Sequence, residues 1–386
     1  MKKTLVIELN ISGEGHYLSF LECCLKFVVD NDLAPSYSFL VNSSGKAFVS
    51  PEFHSLITWA SPVKDTTSLF RKSQSEWQQV KEFTLTADIQ EIIFITIDAY
   101  QLAIALDFKI PFRVSGIQLR PHFRIKKKTG SLKENLKFKL WRLKKSLILR
   151  LFVINKSVKN IFLLNDKSAV AAFNKQYRSV FRYLPDPIFD YPTKIGFDIR
   201  STFGIAQNQK ILLVFGAIDE RKNIPNLLKA AESLSNTKDI FLLIAGAKLA
   251  NYQIPLQDLI KESESINPNL KIHWENRFVS NGEMEAFFQQ SDVVWVVYKD
   301  FFTSSGIVGL AAKYKKPMIG SSYGLIGEII RYNRFGTTVE PTDLKETSAY
   351  LAHIASSGKL LPIDSEKFVR EHSPYSFSKI LLSFQY

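Results

Sequence analysis

Cysteine is nearly absent from this chain of 386 residues: there are two, Cys23 and Cys24. Neighbours in sequence are poorly placed to bridge each other or to hold a metal alone, so a disulfide framework is excluded and a reducing cytosol fits. Long apolar runs are also lacking, and none approaches the ~18 residues needed to span a bilayer. The opening Met1-Lys2-Lys3 and its short apolar run are broken by Glu8 and Asn10, with no small-residue stretch behind them. A buried first strand over 5–9 is therefore expected, not a secretory leader. Clusters with metal-ligand spacing are missing as well, and no metal is expected. Finally, acid is missing from one stretch. Between Arg120 and Asn160 stand fourteen Lys/Arg against a single acid, Glu134, while the whole chain carries a formal net charge of +13. The remainder is thus close to neutral, and the charge calls for a local explanation.

What is present is ordinary for a globular protein too long for one core: 46% hydrophobic, 23% charged, with 30 phenylalanines to fill large interiors. In the first half, strand-like runs at 5–9, 38–41, 92–96, 112–115 and 161–164 alternate with helical patterns such as Leu18, Leu21, Leu25 and Val28. In the second half, buried-strand runs at 211–215, 241–245, 271–274, 293–298, 317–320 and 337–340 are separated by helical stretches at 224–235 and 283–290. Such alternation predicts two doubly wound parallel sheets, each opening its ligand crevice at the carboxyl ends of the strands. Leu184-Pro185-Asp186-Pro187 and Tyr191-Pro192 favour extended chain, placing a linker near 185–205. The domains read as 1–190 and 205–370, with a basic insertion near 120–160. Residues 371–386 form a last helix that crosses back to the first domain, with Ser373 as its cap and Pro374 as its first residue.

Four loops of the second half fall at one sheet edge. Gly216-Ala217-Ile218-Asp219-Glu220-Arg221-Lys222-Asn223 joins a strand to a helix, where backbone N–H groups and two cations suit a diphosphate, or equally a solvated basic pair. Thr303-Ser304-Ser305-Gly306 opens a helix with hydroxyls and a glycine, which also describes an ordinary cap. Arg277-Phe278-Val279-Ser280 and Gly324-Leu325-Ile326-Gly327-Glu328 complete the set. One loop means little, but four at one edge favour a nucleotide site.

The order of these motifs over about 210–345 resembles the family 4 GT-B glycosyltransferases. Phe215-Gly216 leads to Arg221-Lys222-Asn223, then Ala245-Gly246, Arg277-Phe278-Val279-Ser280 with Glu283, Ser291-Asp292-Val293, Ser305-Gly306, Lys316-Pro317-Met318-Ile319-Gly320 and Gly324-Leu325-Ile326-Gly327-Glu328. Gly13-Glu14-Gly15-His16 is more weakly similar to that family's first loop. The resemblance implies a GT-B fold, α/β, of two Rossmann-like domains facing a central cleft. It also implies a nucleotide-sugar donor, which is a substrate, so that no cofactor is required. Gly216, Arg221, Lys222, Ser304, Ser305, Gly306 and Gly15 would face the donor diphosphate. The backbone around Phe278 and Val279 would frame the base, with Arg277, Glu283 and Glu328 on the base and sugar side. Asp98, His16 and Asp300 are the catalytic candidates. The chain departs from the pattern at the glutamate pair ahead of the Lys-Pro dipeptide: one register places Phe302 and Leu310 there, the other Thr303 and Ala311. The sugar contact would then fall to Asp300 or Ser304. Ala217 replaces a usual arginine, and Gly116-Ile117-Gln118 stands where many members carry a histidine.

Single residues keep plain alternatives. His16 suits a helix cap as well as a catalytic role. His122 and His273 read as structural or phosphate-attracting, and Glu328 as an acid at a helix start. In the basic stretch, Leu132, Leu136, Leu140, Leu143, Leu147 and Leu151 recur at helical spacing with Lys133, Lys137, Arg142, Lys144 and Lys145 between them. A solvated helix accounts for the stripe but not for so lopsided a charge. An anionic membrane surface, met by residues about 124–150, accounts for both. The expectation is a metal-independent glycosyltransferase, cytoplasmic or peripheral on the inner membrane face, acting on a surface-glycan or lipid-linked acceptor. Two other uses stay open: a catalytically silent GT-B protein that binds a partner transferase or glycan, and a basic nucleic-acid-binding protein. The last lacks a recognition module, and nucleic acid is not an expected partner.

Overall fold

The computed structural model describes residues 3–11, 16–63, 68–125, 132–234, 239–357 and 360–383. The chain divides into two compact units, Met1–Pro187 with Ser373–Tyr386, and Ile188–His372. The first contains β1 (Thr4–Glu8), α1 (His16–Asp30), β2 (Tyr37–Asn42), β3 (Ile57–Ala60), α2 (Leu69–Thr86), β4 (Glu91–Phe94), α3 (Gln101–Ala105), β5 (Arg113–Gln118), α4 (Leu132–Ile154), β6 (Val158–Leu164), α5 (Lys167–Gln176) and β7 (Phe181–Leu184). The second contains α6 (Ile199–Phe203), β8 (Lys210–Phe215), α7 (Ile224–Glu232), β9 (Ile240–Ala245), α8 (Leu256–Ile266), β10 (Lys271–Glu275), α9 (Asn281–Gln290), β11 (Val293–Val296), α10 (Gly306–Lys313), β12 (Met318–Ser321), α11 (Gly324–Asn333), β13 (Gly336–Val339), α12 (Leu344–Ser356) and α13 (Glu366–Glu371). The last helix, α14 (Pro374–Ser383), returns to the first unit.

Both sheets are parallel. Their orders are β3-β2-β1-β4-β5-β6-β7 and β10-β9-β8-β11-β12-β13. Every residue of β1, β4, β9 and β11 is buried, as expected of strands covered by helices on both faces. Each chain path reverses direction once, between β1 and β4 and between β8 and β11, and at those reversals the two crossovers leave in opposite directions. In the second unit the opening is visible in the register. β8 and β11 pair only through Val293 with Leu212 and Val294 with Leu213, so Val214, Phe215, Trp295 and Val296 part toward the carboxyl edge.

The strands absent from the sequence reading, β3 and β7, lie at or next to the sheet's margins and have mixed burial. Residues 188–204, read as linker, pack with the second unit. Ile188 N–H donates to His372 O (2.8 Å), Tyr191 N–H to Glu285 (3.3 Å) and Ile199 N–H to Gln290 (2.9 Å). In α14, Ser373 Oγ accepts from Ser376 N–H at 3.1 Å. Its apolar face meets α1 through Phe377 on Phe20 (5.0 Å) and Tyr375 on Phe27 (5.2 Å).

Candidate functional site

The reversal between β8 and β11 assembles the strongest constellation. β8 ends in Phe215-Gly216, and Gly216 has φ +96°, a conformation that favours glycine. A side chain there would stand 3.3 Å from Lys222 Nζ and 3.9 Å from Ile307 Cδ1. Lys222 is only 3% exposed. Its ammonium donates to the Phe215 carbonyl and to Tyr298 Oη (2.8 Å) and lies 4.6 Å from the Tyr298 ring centre. Among the described residues it has no carboxylate partner. A desolvated cation held only by neutral acceptors is costly, and a bound anion would relieve that cost. The backbone behind it is fixed: Trp295 Nε1 donates to Lys222 O at 3.0 Å, and Asn223 Nδ2 donates to Pro341 O at 2.8 Å. Arg221 is placed differently. It pairs with Asp219 (3.2 Å) and lies over Phe301 (5.0 Å) and Tyr298 (5.8 Å).

α10 begins beside this glycine and lysine. Its N-cap Ser305 makes no side-chain capping bond, and Ser304, Ser305 and Gly306 are all partly exposed. The positive end of α10 and the Lys222 ammonium therefore converge near Gly216, an arrangement suited to phosphate oxygens. The loop after β11 packs on the start of α11. Leu325 N–H donates to Phe302 O (3.3 Å), and a side chain on Gly324 (φ +73°) would stand 2.9 Å from Phe301 O. Phe302, one of the positions where the resemblance implies a carboxylate, stacks its ring near Tyr323 at 5.4 Å. Leu310, Thr303 and Ala311 complete those positions without an acid. Asp300 is exposed with φ +55°, and its N–H donates to Tyr323 Oη at 2.9 Å. Tyr298, Phe301 and Tyr323 were not singled out in the sequence. Tyr298 and Phe301 stand in the aromatic run behind β11, and Tyr323 follows β12.

On the other side of β8, the 275–283 segment departs from expectation. Glu283 accepts from Ser280 N–H and Oγ in a capping box. Its two oxygens also take Arg277 (2.9 and 3.2 Å) and Lys194 (3.1 Å). Hydrogen bonds from Arg277 above all hold its carboxyl down to about 2. With both oxygens occupied, Glu283 braces α9, and Arg277, shared with Glu275, is committed to the same network. Val279 turns into the core, leaving only its backbone to the edge, while Phe278 is 73% exposed. Glu328 sits half-buried in the second turn of α11.

This geometry has a counterpart in sequence. Residues 197–366 match the family model described as glycosyl transferases group 1. The match spans most of the second unit, Ile188–His372. The whole chain has the two-sheet GT-B fold of solved glycosyltransferases. WaaG, a glycosyltransferase involved in lipopolysaccharide biosynthesis, is 13% identical over 99% of this chain and 100% of that one, with a TM-score of 0.65. HepE from Anabaena, solved with UDP and glucose, is 14% identical over 98% and 95%, at 0.59. The lipopolysaccharide outer core galactosyltransferase WaaB is 11% identical over 98% and 97%, at 0.65. At these identities the likeness is one of fold. No curated protein matches the chain by sequence.

Outside the matched segment, the first unit places Asp98 just past β4. Its carboxylate accepts from Leu119 N–H (2.7 Å) and Arg120 N–H (3.1 Å), which ties the end of β5 to the end of β4. Burial pushes its pKa up against those two bonds. Gly15 lies outside the described residues; His16 opens α1, and its side chain lies outside them too. His122 is buried beside Phe173 (5.6 Å). His273 pairs with Glu275 at 3.2 Å and packs on Phe203 at 4.4 Å, in keeping with a structural role. Sequence reasoning missed Glu8, at the carboxyl end of β1. It is buried and accepts from Asn10 N–H (2.7 Å) and Thr96 Oγ1 (2.9 Å). Among the described residues, no group of three or more His, Cys, Asp or Glu side chains is placed to hold a metal ion, and no helix is long and apolar enough to cross a membrane.

Proposed function

We propose that the chain transfers a sugar from a nucleotide-sugar donor, its diphosphate held at the β8–β11 reversal, to a surface-glycan or lipid-linked acceptor at a membrane face. The observation that carries this reading is Lys222, a buried ammonium without a carboxylate among the described residues, beside Gly216 and the start of α10, whose N-cap side chain makes no capping bond. In the transfer, the bond from the anomeric carbon to the diphosphate breaks and its electron pair passes to the leaving oxygen. Lys222, the amino end of α10 and, after releasing Asp219, Arg221 stabilise that charge. The acceptor hydroxyl oxygen forms the new bond to the anomeric carbon, and its proton passes to the released diphosphate. This reading needs no metal for charge stabilisation, so UDP is expected to bind with EDTA present. HepE, with the same fold, was solved with UDP and glucose, which supports UDP and UDP-glucose as first probes. Calorimetry should show UDP binding weakened at least about tenfold, or ~1.4 kcal/mol, by Lys222→Met with Arg221→Ala in a chain that still melts cooperatively. Undiminished affinity would remove the site assignment.

The membrane face rests on α4. Leu136, Leu140, Leu143, Leu147, Leu151 and Ile154 are all exposed. At about 3.6 residues per turn they form one stripe, with Lys133, Lys137 and Lys144 on one flank and Lys139 and Arg150 on the other. Such a stripe suits a helix lying in the headgroup layer. Self-association through it would bring together two segments of seven cations and one acid each, which favours an anionic surface as partner. Lys126, Lys127 and Lys128 belong to the same basic stretch but lie outside the described residues. A second reading, nucleotide binding without turnover, is favoured by one observation: Phe302 packs on Tyr323 where a sugar-facing acid is expected. Release of UDP from a panel of UDP-sugars with candidate acceptors separates the two.

A further inference from the structure

We propose that the first unit carries an oxyanion subsite, formed by Arg120, Arg142 and Lys145 at the carboxyl edge of β4 and β5, that binds a phosphate ester on the sugar acceptor. The inference rests on the reading of the chain as a glycosyltransferase and deepens it by naming the acceptor's chemistry.

α4 has two faces. Leu149, Phe152 and Val153 bury its protein-facing side. Arg142 and Lys145 precede Leu149 by two turns and one turn, so they extend that same side beyond the buried residues. They are charged where a helix flank meets the sheet, opposite the exposed leucines. Both come close enough to His122 to lower its proton affinity, after burial as the larger cause, and Arg120 and Lys145 both act on Asp98. α4 thus passes within electrostatic range of the segment that follows β5. That segment is fixed at both ends: Asp98 accepts from Leu119 and Arg120 N–H, and Arg124 forms a bidentate pair with Asp166 (2.6 and 2.7 Å). Asp98 is spent on backbone, and Arg124 is neutralised. Arg120, Arg142 and Lys145 form no salt bridge among the described residues, and all three are exposed. Asp98 offsets part of the repulsion among these three cations, since Arg120 and Lys145 both act on it, and one carboxylate leaves a net positive charge that a bound anion would offset.

A second observation points to a polar ligand at this edge. Gln118, the last residue of β5, is 3% exposed with Oε1 unpaired, and Gln101, at the start of α3, is 7% exposed with Nε2 unpaired. Buried amides normally find partners, and here one acceptor and one donor lack them next to Asp98 and Arg120 in the chain. Sugar hydroxyls both donate and accept. The carboxyl edge of a doubly wound sheet takes small ligands, whereas a lipid surface meets the leucine stripe on the opposite side of α4.

The test measures binding of glucose 6-phosphate, glucose and inorganic phosphate to the full chain by calorimetry, with UDP binding and sedimentation with phosphatidylcholine/phosphatidylglycerol vesicles in parallel. Glucose 6-phosphate is expected to bind at least about tenfold more tightly than glucose. R142Q/K145Q should abolish that preference and keep UDP affinity. K133Q/K137Q/K139Q, on the flanks of the leucine stripe, should weaken vesicle binding and keep the phosphosugar preference. No preference for the phosphate ester overturns the inference. So does a preference that survives R142Q/K145Q, or one lost equally in the flank variant, or R142Q/K145Q acting on vesicles alone. Failure of UDP to bind counts against the glycosyltransferase reading instead, and leaves the phosphosugar result to be read by itself.

Discussion

Glu283 and Glu8 are both buried carboxylates, yet their surroundings act in opposite directions. Arg277 and Lys194 favour the charged form of Glu283 and bring it from 4.5 to about 2. Its contribution to stability is therefore present above pH 4.5 and is lost as pH falls toward 2. Glu283→Ala leaves Arg277 and the α9 cap without their acceptor and is expected to cost about 2–4 kcal/mol in a denaturant melt at pH 7, shrinking as pH approaches 2. Glu8 is raised to about 7, first by burial and then by the nearby Glu76, against hydrogen bonds from Asn10 and Thr96. The folded chain keeps this proton while the unfolded chain loses it, so its contribution is full below pH 4.5 and is lost as pH rises through 7. Glu8→Gln preserves an acceptor without the charge. It is expected to stabilise the first unit at pH 8 by about 1 kcal/mol or more and to be neutral at pH 4, read from paired melts. Neither role was legible in the residue types. Glu283 was placed on the base and sugar side, because a capping box and a binding acid share the same one-letter code until the donors around them are known.

At the scale of elements, the inner strands were legible because a run such as β9, buried on both faces, is apolar at every position. β3 and β7 were not, because strands at a margin keep polar or exposed residues; β7 reads Phe-Arg-Tyr-Leu. α4 was legible as an amphipathic basic helix, but not which face the core would take. The core takes the side of Leu149, Phe152 and Val153 and leaves the leucine stripe to solvent. Leu140→Glu with Leu147→Glu should therefore reduce sedimentation with phosphatidylglycerol vesicles at least about tenfold. Because both residues are exposed, the melting free energy should move by less than about 0.5 kcal/mol. A melt that collapses would place the stripe in the core after all.

At the scale of the whole molecule, the chain end is a structural part of the first unit. α14 covers Phe20 and Phe27 of α1, and Tyr37 Oη donates to Leu382 O at 2.8 Å. Truncation after His372 is expected to expose that face and to speed hydrogen exchange in α1 and β2, while UDP binding by the second unit changes little. Equal loosening of β8 and β11 would contradict this division. The order of the inner strands, the two-sheet α/β class and the loops at one edge of the second sheet were determined by the sequence alone, because hydrophobic periodicity and the turn residues at helix starts are local properties. Tertiary structure decided the rest. It buried Lys222 without a carboxylate among the described residues while turning Arg221 onto aromatic rings, spent Asp98 on backbone N–H groups and Glu283 on Arg277, and buried Leu149, Phe152 and Val153 of α4 while leaving its leucine stripe exposed. Those outcomes depend on which groups distant in the chain share a desolvated space, and residue spacing does not encode that.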